Sequence, residues 1–123
     1  MIALNLTIWR KWFDLIRIGT KREEYRTCRN KAAMRLFNAV LQYGHLPDNA
    51  IAIFRNGYNM GSAAVAVEIA GLSLRSGDEA QHPEWGEPTD RELHMVIQLG
   101  RVLMVAPYHD VREAVKEGDA SHA

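Results

Sequence analysis

The chain has 123 residues, 47% of them hydrophobic and 24% charged, which is the size and composition of one globular domain and excludes a disordered or fibrous chain. No apolar run approaches the roughly 20 residues that a membrane span needs, so no membrane partner is expected. Net charge is zero but unevenly placed: residues 1–60 hold ten Lys or Arg against four Asp or Glu, a balance of +6, and residues 61–123 hold five against eleven, a balance of −6.

The opening "MIALNLTIWRKWF" meets its charged pair, Arg10 and Lys11, only after an apolar start, the reverse of an export signal. With Cys28 as the single cysteine, no internal disulfide is expected, and a cytoplasmic location is the expectation. Trp9, Trp12, Phe13 and Ile16 recur at helical spacing behind Thr7, a candidate N-cap, and Gly19 supplies a stop. The stretch "GTKREEYR" follows. As an ordinary connection it is a solvated turn; as an extended strand it sends Lys21, Glu23 and Tyr25 to one face and Arg22, Glu24 and Arg26 to the other. A second helix starts at Asn30, buries Ala33, Met34, Phe37, Val40 and Leu41, and ends near Gly44.

After Pro47 the period changes. "AIAIFR" and "SAAVAVEIAGLSL" read as two strands joined through the turn-like "NGYNMG". A polar loop with two prolines precedes "LHMVIQLGRVLMV", whose alternation breaks at Gly100 and is read as two further strands. A helical turn or two is expected over Asp110 to Lys116, then a frayed tail. The expected domain covers 1–106 and the helical turn and tail 107–123.

Nine of the ten basic residues of the first half fall between Arg10 and Arg35, a positive face suited to phosphate unless the acidic half neutralises it. Within it, Lys21 can contact a phosphate as a charge or act as a base if burial lowers its proton affinity. Glu24 and Arg26 share one side of an extended strand, where Arg26 either orients the carboxylate beside a ligand or forms a structural ion pair. Arg55 and Tyr58 could hold a phosphate or stack on a base, with Asn56 serving the turn between them. Glu68 interrupts the small face of Ala64, Ala66 and Ala70, which suits either a close-packed helix with Glu68 at its edge or a pocket with the carboxylate inside. Trp85 in "PEWG" plugs the end of the core or stacks on a ligand, and Cys28 is read as a small core or boundary residue. The five histidines show no ligand spacing and no Gly-rich phosphate loop is present, so neither metal nor cofactor is expected.

Gly19, Lys21, Glu24 and Arg26 match G-x-K-x-x-E-x-R, and with it the chain resembles the ASCH domain family, relatives of the PUA domains of RNA-modifying proteins. "FRNGY" at Phe54 to Tyr58, "PEWG" at Pro83 to Gly86 and "VIQLG" at Val96 to Gly100 follow in the order of small bacterial and phage members, so the likeness spans about Ile2 to Val105. The resemblance implies an α+β fold, a PUA-like β-barrel with two N-terminal-half helices packed on it. It also implies a cleft lined by the signature residues for RNA or a nucleotide-derived ligand; with the residue-by-residue reading above, Arg26, Arg55, Asn56, Tyr58 and Glu68 are the ligand-binding candidates. One family branch deacetylates acetylcytidine with a lysine at the position of Lys21, and a ribonuclease-like activity also occurs. For an enzyme, Lys21 and Glu24 are the catalytic candidates, although Glu24 stands where that branch has threonine. A regulatory protein acting through protein contacts is the remaining alternative.

Overall fold

A computed structural model describes residues 3–117; the expected frayed tail at 118–123 lies outside the described residues. Eight main elements follow in order: β1 (Ala3–Thr7), α1 (Arg10–Arg17), β2 (Glu23–Thr27), α2 (Lys31–Tyr43), β3 (Ile51–Arg55), β4 (Ala63–Ser76), β5 (Leu93–Pro107) and α3 (Tyr108–Glu117). No described helix is long and apolar enough to cross a membrane.

The organising unit is a long antiparallel ribbon. β4 and β5 pair from Ala63 opposite Pro107 to Ser76 opposite Leu93, with register shifts between Ala66 and Gly71. Such bulges bend a ribbon and raise its twist. The expected break at Gly100 is therefore a correction: Leu93–Pro107 is one strand, and Gly100 and Arg101 fall where the register slips. One half of the ribbon, through β4, carries β3 antiparallel over Ile51–Arg55, and β3 carries β1 parallel with Leu6 opposite Phe54. The other half, through β5, carries β2 antiparallel with Glu24 opposite Ile97.

The resulting sheet has the order β1-β3-β4-β5-β2 and does not close into the expected barrel. The reason is offset. β3 sits opposite Ala64 to Glu68 of β4, whereas β2 sits opposite His94 to Gln98 of β5, so the edge strands, β1 on β3 and β2 on β5, lie beside different halves of the ribbon. Their join is a side chain: Arg26 Nη2 donates to the Thr7 carbonyl at 3.2 Å.

The sheet has a core on each face. On one, Leu4, Leu6, Phe54, Val65, Val67, Ile97 and Leu99 meet Phe13 and Ile16 of α1 and Leu36 of α2. On the other, Ile51, Ile53, Ala64 and Ala66 meet Tyr108, Val111 and Val115 of α3. The small alanines thus admit a helix, the first of the two uses their pattern suggested.

α1 begins one residue after its N-cap, Trp9, which makes no side-chain cap hydrogen bond; Thr7 stays in β1. Gly19, at φ +83°, ends the helix, and the amides of Gly19 and Lys21 return to the Ile16 and Leu15 carbonyls. α2 has the expected cap, Asn30 accepting from the Ala33 amide at 2.9 Å. Leu41, expected inside, is 67% exposed, and Cys28 is also exposed.

Gly77 closes the loop between β4 and β5: its amide donates to the Glu92 carbonyl, and a Cβ there would collide with the Asp90 backbone. Gly77→Ala should cost about 1–3 kcal/mol of stability, because the colliding atoms are backbone and cannot rotate away. Urea denaturation of the two proteins measures it.

Candidate functional site

The short connector between α1 and β2 places Lys21 inside the protein. Its side chain has no exposed surface, and it is among the largest fully buried side chains of the described residues. The Nζ donates to the Trp85 carbonyl, lies 3.5 Å from Glu24 Oε1, and sits 4.6 Å above the Tyr25 ring and 5.3 Å from the Trp12 ring. Burial pulls its proton affinity below the ordinary lysine value, with the Glu24 charge opposing.

β2 is extended from Glu23, so Glu24 and Arg26 do share a face. Glu24 Oε2 accepts from Arg26 Nη2 at 2.8 Å, and Oε1 accepts the Tyr25 amide at 3.0 Å. The Glu24 carboxylate is fully committed. Arg26 is not: Nη2 serves Glu24 and Thr7, while Nε is buried without a partner. Beside the pair lies a shallow cleft of about 250 Å³, lined by Thr7, Ile8, Trp9, Trp12, Glu24 and Arg26.

A second ionic group stands on the opposite face of β2. Arg75 donates to Glu23 at 3.0 and 3.2 Å and to Glu87 at 2.8 Å, and the Tyr25 hydroxyl donates to Glu23 at 3.1 Å. Glu87 also accepts the amides of Gln81 and His82, each at 2.8 Å. It therefore shapes the 80–87 loop, which brings the Trp85 carbonyl to Lys21 and lays the Gly86 backbone against the Trp12 ring. The Trp85 ring stacks on His82 at 3.9 Å.

Of the seven catalytic and ligand-binding candidates, the structure brings Lys21, Glu24 and Arg26 together. The other four lie apart from them. Arg55 leaves β3 toward α3, its guanidinium 4.1 Å over the Tyr108 ring and bonded to the Tyr58 carbonyl. The Asn56 amide closes the β3–β4 turn on Ala63, and the Tyr58 side chain is exposed. Glu68 is half-exposed, accepts from Arg101 at 3.0 Å, and borders a different cavity of about 290 Å³ lined by Leu46 to Ile51, Ile69 and Leu103.

Trp12, Trp9 and the Glu23–Arg75–Glu87 group had no part in the sequence-based site. The contact of Lys21 with the Trp85 backbone leaves no mark in residue types. Asp90, Glu92 and His94 offer ligand atoms within 4.8 Å of one another, a geometry that a metal could use. Their i, i+2, i+4 spacing stands in the sequence, with one histidine and two carboxylates in place of a histidine pair. His94 Nε2 and Asp90 Oδ1 already pair at 2.7 Å.

No family model and no curated protein matches the sequence. Among solved structures, two crystal structures of ZmASCH mutant proteins from Zymomonas mobilis, one a serine-to-alanine and one a tyrosine-to-phenylalanine substitution, are similar. The first is 10% identical with a TM-score of 0.54, covering 90% of this chain and 78% of that one. The second is 11% identical with a TM-score of 0.55, covering 92% and 81%. The chain has the ASCH-type fold.

The loop clamp titrates. Burial works against the Glu87 charge, yet the Arg75 guanidinium and the His82 and Gln81 amides hold its carboxyl below the usual 4.5. A depressed folded value means that the stabilisation is complete above that pH and is lost as pH falls through the folded value. Glu87→Gln should lower stability at pH 7 by about 1–3 kcal/mol and flatten its decline below pH 4.5. Unfolding free energies from pH 7 to pH 3 for both proteins test this.

Proposed function

We propose that the chain binds single-stranded RNA, or a nucleotide-derived ligand, along α1 and β2, with the cleft beside Glu24 and Arg26 receiving part of the ligand. One observation carries the reading: among the described residues, no cation of residues 1–60 pairs with a carboxylate of residues 61–117. Among the described residues, the one ion pair crossing that boundary runs the other way, from Arg75 to Glu23. Lys11, Arg22, Arg29, Lys31 and Arg35 are exposed and have no ion-pair partner among the described residues. Arg22 and Arg29 flank β2, a strand of about 17 Å at the usual rise, which suits successive phosphates of an extended chain. The Lys21, Glu24 and Arg26 group adds a net positive charge at the cleft. A single strand suits the cleft because its unstacked bases are free to enter.

Binding of this kind releases counterions. With about four phosphates neutralised, raising NaCl from 50 to 200 mM should weaken binding of a labelled 12-nucleotide oligouridylate about 50-fold. Arg22→Glu with Lys31→Glu should weaken it further and reduce the salt slope. Affinity that is absent or insensitive to salt overturns the reading.

A second reading, a hydrolase acting on an acetylated nucleoside or an RNA phosphodiester, rests on the lowered proton affinity of Lys21 with Glu24 3.5 Å away. Against it, Nζ is covered by the Trp85 carbonyl, so a substrate would have to displace the 83–86 turn. Wild-type protein incubated with acetylcytidine and with short RNAs should bind RNA and turn over neither. Turnover that Lys21→Met and Glu24→Gln abolish while RNA binding persists would establish the enzyme.

A further inference from the structure

We infer that Trp9 is a base-stacking platform: one nucleobase of the bound strand lies on its indole at the mouth of the cleft, and the adjoining phosphate meets Arg26. The inference rests on the RNA-binding reading and names the contact that this reading leaves open.

Trp9 is 81% exposed, an unusual state for the largest apolar side chain. The backbone around it is firmly held. Ile8 is buried and its amide donates to the Arg55 carbonyl at 2.9 Å, while the Trp9 carbonyl accepts the Phe13 amide at 2.9 Å as the first turn of α1 forms. The indole is thus an open surface on a fixed support, the arrangement that makes stacking inexpensive in ordering entropy.

The chemistry of the cleft selects the occupant. Glu24 accepts from Tyr25 and Arg26 and pairs with Lys21, so the acceptor in the lining is spent. Arg26 Nε is buried, but its Nη1 makes no hydrogen bond among the described residues, and the side chain is 22% exposed. What remains on offer is an aromatic face and guanidinium donors. Arg10, adjacent to Trp9, is 83% exposed and touches Asp14 only at 3.8 Å, and Lys11 is exposed as well. An aromatic surface ringed by cations with unspent donors complements a base attached to a phosphate; a neutral apolar partner would leave the Arg26 donors unpaired.

The experiment compares wild type, Trp9→Ala and Trp9→Phe as full chains, titrated with a labelled oligouridylate and with an abasic oligonucleotide of equal length. Trp9→Ala should weaken oligouridylate binding about tenfold, Trp9→Phe should recover most of the loss, and abasic binding should change in neither. The salt slope should stay the same, because no phosphate contact is removed. Quenching of tryptophan emission on oligouridylate binding, present in wild type and reduced in Trp9→Phe, reads the stack without relying on the alanine variant. If wild type binds neither oligonucleotide, the RNA-binding reading falls and the stack with it. If wild type binds oligouridylate and Trp9→Ala binds equally well, the stack alone is overturned. A wild-type dimer in sedimentation that Trp9→Ala dissociates, with RNA affinity unchanged, would instead assign Trp9 to a second copy of the chain.

Discussion

The buried carboxylate of Glu24 is the contact on which the rest of the site depends. It holds Arg26 at 2.8 Å and faces Lys21 at 3.5 Å, drawing two cations into one place on the edge of the sheet. Taking such charges out of water is costly, and the mutual attraction offsets the cost only when the remaining hydrogen-bonding capacity is used. Here it largely is. The Tyr25 amide donates to Glu24 Oε1, Lys21 Nζ donates to the Trp85 carbonyl, and Arg26 Nη2 donates to the Thr7 carbonyl. Each of these partners belongs to a different part of the chain, so one carboxylate ties β2 to the 80–87 loop and to the end of β1.

This arrangement has a consequence for surface charge. Of the carboxylates in the basic half, Glu24 is taken by Lys21 and Arg26, and Glu23 by Arg75 from the other half. The acidic half in turn uses Glu87 on Arg75 and Glu68 on Arg101. The neutral net charge is therefore a bulk average that local pairing does not reproduce, and the exposed cations near α1 and β2 keep their field. Such a field acts on polyanions at distances of about a Debye length, roughly 8 Å at physiological salt.

Lys21 illustrates how tertiary context changes the meaning of a residue. Beside a helix end, a lysine is expected to be solvated and protonated. In the fold, the ring faces of Trp12 and Tyr25 and the Trp85 carbonyl surround it, and desolvation lowers its affinity for a proton. Lys21 is therefore an internal counter-charge, 3.5 Å from Glu24 and closed off from solvent, and the exposed charge of this region belongs to other cations.

What the sequence by itself determined is what local interactions decide. Asn30 caps α2, Gly19 stops α1, β3 and β4 pair through the turn beginning at Asn56, and Glu24 meets Arg26 because i and i+2 share a face of any strand. These depend on neighbours a few residues away, whose geometry is the same in every context. The resemblance carried by Gly19, Lys21, Glu24 and Arg26 likewise pointed to the fold that the solved structures share. Only the tertiary structure decided the rest. β1 forms because β3, some 48 residues later, offers it a parallel ladder. Gly100 bends β5 without ending it, because a bulge lets the ribbon with β4 continue. The sheet stays open because β1 and β2 attach beside different halves of that ribbon, and register is a property of strands together. Trp9 fits the periodicity of a buried helical face, yet the helix starts after it and its ring stays in solvent. Sequence period fixes the direction of a side chain relative to its own element; whether that direction meets core, cleft or water depends on where the other elements end.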